Sequence, residues 1–365
     1  MLDIWFQPIK NENQYASHQL GSNIVINKGR IPDLNGVKIA IIGVGRNNME
    51  EIRNQLYAMR FPFNPTSIVD LGDLRKEEIA FFIPVLKELQ EVNILPIIVC
   101  GDPKFQLAQY KAFQGKQQAV SLALVDDKIR LDPSGDISNV NDLYLNEALF
   151  NKNSRLFHLT CLGFQNQYID PKILEFLEDH YFDFLRLGLA KGNLSDVEPL
   201  IRDADIMAFN MTALKYLEAP GMTEISPSGF FTEEACQITR YAGLSDKMKS
   251  FGIYGFDMSK DPAGISAQTI AQMIWYFLEG YSTRFQDFPV STDGLIEYIV
   301  EMKQLDYQLT FWKSGKSGRW WLQVPVKTKK QLYRHRLIPC SYEDYQMSCR
   351  NELPERLVSA LRRFD

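Results

Sequence analysis

Two acids and two bases, Asp126, Asp127, Lys128 and Arg130, fall within five positions directly after the apolar run SLALV at 121–125. In an open α/β sheet, ligands are met outside the carboxyl ends of the strands, so charges released there face a crevice. Three further runs end the same way. They are Cys100–Gly101–Asp102–Pro103, Phe209–Asn210–Met211–Thr212 and Tyr254–Gly255–Phe256–Asp257. Acids and bases meeting at strand ends support two kinds of chemistry. Lys128 and Arg130 can pair with Asp102, Asp126, Asp127 or Asp257 and close the crevice. They can instead receive an oxyanion, which the guanidinium fork of arginine binds bidentately.

These residues have to be positioned by a regular alternation, and one is present. VKIAIIGVG (37–45), TSIVDLGD (66–73), ILPIIVCGD (94–102), AVSLALVDD (119–127), RLFHLTCLGF (155–164), ADIMAFNM (204–211) and SFGIYGFDM (250–258) read as buried strands. Between them, 50–59, 76–93, 105–115, 171–188, 232–243 and 266–281 carry apolar residues at helical spacing. Thr232 reads as an N-cap and Gly243 as the close of its helix. The pattern predicts a three-layer α/β/α sandwich with a mainly parallel sheet over 37–285. An irregular segment, 1–36, precedes it. The remainder, 286–365, reads as an extension packed on the main domain: a β-hairpin over 306–326, turned by Ser314, Gly315, Ser317 and Gly318, and an amphipathic helix over 353–365. The hairpin's Phe311, Trp312, Trp320 and Trp321 are either packing residues or a face for a protein partner.

Other chemical-looking patterns are weaker. GVGRNN (43–48) lacks the third glycine of a dinucleotide fingerprint, and the first acid of the next strand, Asp70, comes late. GKS at 315–317 has Thr310 where a phosphate loop needs glycine. His18, His158, His180 and His335 have no metal-ligand spacing, and there is no G-x-S-x-G elbow. The cysteines, Cys100, Cys161, Cys236, Cys340 and Cys349, are odd in number and widely spaced, as expected of reduced and mostly buried thiols.

Taken together, the strand ends resemble those of the arginase/agmatinase/formimidoylglutamase (ureohydrolase) family, formimidoylglutamases most of all. The resemblance spans 37–285 and is carried by EPLIRDADIMAFNMTAL (198–214), APG (219–221), PSGFFTEEACQITRYAG (227–243) and IAQMIWYFLEG (270–280). It implies a binuclear manganese site that activates water against a guanidine or amidine carbon. Matched residue by residue, however, the ligand turns are degenerate. The G-G-D-H turn falls on 100–103, with Pro103 for histidine. The D-A-H-x-D turn falls on 126–130, with Lys128 for histidine and Arg130 for the second aspartate. The D-x-D turn falls on Asn210 and Thr212, and a late-strand glutamate falls on Gly255. Asp126 alone survives. Lys128 and Arg130 would also repel a metal, since like unit charges about 4 Å apart cost roughly 4 kcal/mol at an effective dielectric near 20.

The expectation is therefore no manganese, no other cofactor and no catalytic residue, with function as a scaffold for a protein partner. Two alternatives stay open: a binding module taking a small anionic metabolite on Lys128 and Arg130, and a surviving C–N hydrolase. Net charge −5 over 365 residues argues against nucleic acid. The apolar runs are short of a membrane span, and the N-terminus has no basic-then-apolar leader, so a cytoplasmic location is expected, with homo-oligomer assembly left open.

Overall fold

The computed structural model describes residues 4–45, 49–63, 66–113, 119–135, 143–289, 291–302, 308–324 and 337–364. Arg46, Asn47 and Asn48 of the glycine-rich turn, and His335, lie outside the described residues. Ten strands form one sheet: β1 (Phe6–Gln7), β2 (Val25–Ile26), β3 (Ile39–Val44), β4 (Ile68–Leu74), β5 (Leu95–Cys100), β6 (Val120–Val125), β7 (Leu156–Leu162), β8 (Asp183–Leu185), β9 (Ile206–Asn210) and β10 (Ser250–Tyr254). Their order is β1-β4-β3-β5-β10-β9-β6-β7-β8, with β2 also on β4. Only β1 runs antiparallel.

The long apolar runs become strands because both faces are covered. β3, β5 and β6 are buried at every residue, as parallel strands between two helix layers require. One core cluster gathers Ile39, Ile41, Ile97 and Phe251 under the helices Glu50–Ala58, Thr232–Leu244 and Ile265–Ser282. A second gathers Ala40, Ile42, Ile98 and Leu159 under Ile79–Glu91, Gln106–Lys111, Tyr144–Phe150 and Pro171–Asp179. The fold is the α/β/α sandwich that the alternation predicts.

Several boundaries differ from the sequence reading. The 1–36 stretch contributes two short strands to the sheet. The 171–188 helix stops at Asp179, where Tyr181 takes φ 53°, Phe182 N donates to Leu177 O and Tyr181 N donates to Glu178 O. This is a left-handed closure without the usual glycine, so the sequence carries no stop signal, and 183–185 become the edge strand β8. Gly243 lies inside its helix, not at its end. A Cβ there would sit 2.1 Å from Phe277 O, so the glycine permits two helix backbones to touch. Thr232 is the first helical residue rather than the cap; Phe231 N donates to Glu234 Oε2.

Beyond 285 the chain builds a four-stranded antiparallel sheet, β11 (Leu295–Val300), β12 (Leu309–Ser314), β13 (Trp320–Gln323) and β14 (Leu337–Cys340), with helices Tyr342–Cys349 and Glu355–Phe364. The expected hairpin is its β12–β13 pair, Lys313 opposite Trp320. Phe311, Trp320 and Trp321 are buried, and the half-buried Trp312 donates its Nε1 to Gln323 Oε1, so these rings pack the sheet. Trp320 stacks on Tyr345 with centroids 4.9 Å apart. Arg202, buried in the main sheet's helix layer, donates to Trp320 O at 3.1 Å and Cys340 O at 3.0 Å and lies 4.7 Å from the Trp321 ring. Four cysteines are buried and free; Cys349 is exposed. Among the described residues no helix is long and apolar enough to cross a membrane.

Candidate functional site

Strand order brings the singled-out turns side by side: β5, β10, β9 and β6 are consecutive neighbours. Parallel register places Asn210 beside Tyr254, and Phe209 beside Val125. Asp126 therefore emerges next to Asn210. Its Oδ2 accepts from Asn210 Nδ2 at 3.0 Å and its Oδ1 from Thr212 Oγ1 at 2.9 Å. Tyr144 OH adds a longer contact at 3.4 Å, and Arg130 Nε lies 3.5 Å away. Asn210 reaches across to β10 as well. Gly255 has φ +79°, and a Cβ on it would fall 1.7 Å from Asn210 Oδ1.

The basic pair finds its main partner elsewhere. Arg130 Nη2 donates to Glu224 Oε1 at 2.8 Å, and Lys128 Nζ donates to the other oxygen, Oε2. Lys128 also lies over the Tyr168 ring at 5.6 Å. Burial opposes the Arg130 charge, but Asp126, Tyr144 and Glu224 outweigh it and raise the pKa. Glu224 is likewise pushed up by burial and pulled down further by its bonds from Lys128 and Arg130, ending below the usual carboxylate range. Asp127 is 2% exposed and its Oδ1 has no hydrogen-bond partner among the described residues. Burial, then the neighbouring Asp126 carboxylate, push its pKa up to about 7.

Two acids expected in the cluster are engaged locally instead. Asp102 pairs with Lys104 Nζ at 2.8 Å and caps the 3₁₀ turn Pro103–Phe105, which Pro103 opens. Asp257 caps Met258–Lys260 through Ser259. Neither forms an ion pair with Lys128 or Arg130 among the described residues. Glu224 was not foreseen. It sits in an irregular loop, one of 45 acids, and no local motif points to it. The late Asp70 is structural: it accepts from Arg53 Nε at 3.0 Å, Tyr57 OH at 2.8 Å and Gly72 N at 2.9 Å. His158 of β7 is buried and lies 2.8 Å from Asp183 of β8.

These side chains do not fit a pair of divalent cations. Both Asp126 oxygens are taken by donors, Asn210 and Thr212 supply neutral groups, Gly255 has no room for a carboxylate while Asn210 stays, and two cations flank the site. Such ions need several anionic oxygens or imidazoles. The cavity bounded by Asp126, Lys128, Arg130 and Tyr144 holds about 10 Å³, room for about one water.

No family model matches the sequence, and no curated protein matches it. Solved structures do. Trypanosoma cruzi formiminoglutamase with manganese aligns at TM-score 0.62 and 15% identity, covering 73% of this chain and 99% of that one. Formimidoylglutamase from Bacillus subtilis gives 0.60 and 16%, over 76% and 95%. The agmatine ureohydrolase of Thermoplasma volcanium gives 0.56 and 15%, over 72% and 94%. The chain thus has the arginase/ureohydrolase fold. Two of these three structures are formimidoylglutamases, the branch that the strand-end motifs resemble. At such identity the likeness extends to the fold and not to the activity.

Proposed function

We propose that this chain is an arginase-fold protein without the binuclear manganese centre, working as a non-catalytic scaffold for a protein partner in the cytoplasm. The observation that carries this reading is the saturation of Asp126 by Asn210 and Thr212. The one carboxylate left from the ligand set is already used in holding β6 to β9. The test is to assay formimidoylglutamate, agmatine and arginine with excess manganese. No turnover is expected; turnover would make the chain a hydrolase of amidine C–N bonds after all.

One observation favours a second reading, a metal-independent anion site. Lys128 and Arg130 already grip a carboxylate, that of the half-exposed Glu224. A small carboxylate or phosphate metabolite can take its place if the loop lets Glu224 go. Calorimetric titration with glutamate and with inorganic phosphate should then show binding that strengthens in Glu224→Gln and disappears in Arg130→Ala. Equal binding by Arg130→Ala and the wild type rules this reading out.

A further inference from the structure

The opposite end of the sheet carries a second concavity. It lies where β5, β6, β9 and β10 begin and holds about 320 Å³, within the range of about 300–1,000 Å³ usual for small-molecule sites. Ile94, Phe113 and Met248 give it apolar walls. Single unpartnered polar atoms occur elsewhere in the core, but among the described residues Gln90 is the buried side chain with both of its polar atoms unpartnered.

Gln90 is 8% exposed, yet neither its Nε2 nor its Oε1 has a hydrogen-bond partner among the described residues. The side chain is held there by the end of its helix. Asn93 takes φ 57°, Ile94 N donates to Leu89 O and Asn93 N to Gln90 O, which stops the helix and turns the chain into β5. Buried amides of native proteins are nearly always satisfied, so an orphan donor and acceptor on one planar group call for a partner. Arg284 lines the same cavity. It donates to Gly243 O at 2.8 Å and Met248 O at 3.3 Å, stacks 4.1 Å over Tyr281, and forms no ion pair among the described residues. Burial lowers its pKa to about 10, which leaves it charged at neutral pH. The nearby acids have other duties. Asp205 accepts from Ser121 N and pairs with Lys249 at 3.4 Å, and Asp246 accepts from Asp287 N.

We propose that this cavity binds a small molecule carrying three features: a carboxylate for Arg284, a planar amide for Gln90, and an apolar part for Ile94, Phe113 and Met248. The carboxylate gives Arg284 the close ion pair that it does not form among the described residues, where Asp246 attracts it only at longer range. The amide pairs its carbonyl and N–H with the orphan Nε2 and Oε1. The site is independent of the Asp126 crevice.

The probe is N-acetyl-L-leucine, titrated calorimetrically into the full chain. N-acetyl-L-leucinamide, without the carboxylate, and 4-methylpentanoate, without the amide, serve as comparators. One saturable site per chain is expected, with each comparator at least about tenfold weaker. Gln90→Leu replaces the orphan amide with an apolar group of similar size and keeps the Arg284 bonds, so it should fold. It should bind N-acetyl-L-leucine about tenfold more weakly and 4-methylpentanoate unchanged. Arg130→Ala should bind as wild type, which separates this site from the crevice. Absence of saturable heat at concentrations on the order of 10 mM overturns the proposal. So does a Gln90→Leu chain that binds N-acetyl-L-leucine as the wild type does.

Discussion

Arg130 and Glu224 meet at 2.8 Å across 94 residues of chain. The contact closes the carboxyl end of β6 with a side chain from the β9–β10 connection, and it decides what the crevice can do. Glu224 is partly exposed and Arg130 mostly buried, so the two ends of the pair are not equivalent. Arg130→Ala should cost about 1–3 kcal/mol in urea unfolding, because it strips Glu224 of a donor and the buried Asp126 of a neighbouring cation. Lys128→Ala should cost under about 1 kcal/mol, since both partners of that pair are substantially solvated. Equal costs would mean that burial is not what separates them.

Asn210 and Gly255 exclude any larger residue at 255. Gly255→Ala should lose about 2 kcal/mol or more, from the left-handed backbone and from the contact with Asn210 together. Pairing it with Asn210→Ala should recover the contact part and leave the backbone part. A neutral Gly255→Ala in thermal unfolding would contradict this packing.

Asp127 gives a pH signature. The native carboxyl keeps its proton up to about 7, while an unfolded aspartate releases it near about 4. The native state therefore binds more protons between those values, and stability falls as pH rises through that window. Glu224 acts oppositely and lower down: its folded pKa is depressed, so its contribution is lost only as pH drops below its unfolded value near about 4.3. Asp127→Asn should flatten the decline and gain on the order of 1–2 kcal/mol above pH 7. An unchanged slope between pH 4 and 7 would show that Asp127 is not its source.

Asp70 was read as a late and poorly placed acid, and the structure gives it a different task. With no exposure and three donors on it, Asp70→Asn should cost about 3–5 kcal/mol by leaving Arg53 buried with half its compensation. Denaturant melts of the variant check this directly.

What the sequence made legible follows from burial. β3, β5, β6, β9 and β10 are apolar runs because both faces are covered, and their order along the chain already implied a parallel sheet with charged turns at one end. The contact between Asp126, Asn210 and Thr212 was implicit in that arrangement. Glu224 was not, because its role depends on where a long irregular loop falls, and loops carry no periodicity. The stop at Asp179 was hidden for a related reason: a tyrosine occupies the left-handed position where glycine would have announced it. β11 and β14 were missed because neither is a long apolar run. The aromatics of β12 and β13 were visible, but only the positions of Arg202 and Tyr345 show that they face inward.

We propose that side-chain donors and cations around Asp126 stand where a metal centre would be. The most direct test is metal content by mass spectrometry after dialysis against manganese, on protein kept at neutral pH. Far less than one manganese per chain and no manganese-dependent rise in melting temperature are expected. Two tightly held manganese ions per chain, lost on substitution of Asp126, would contradict it.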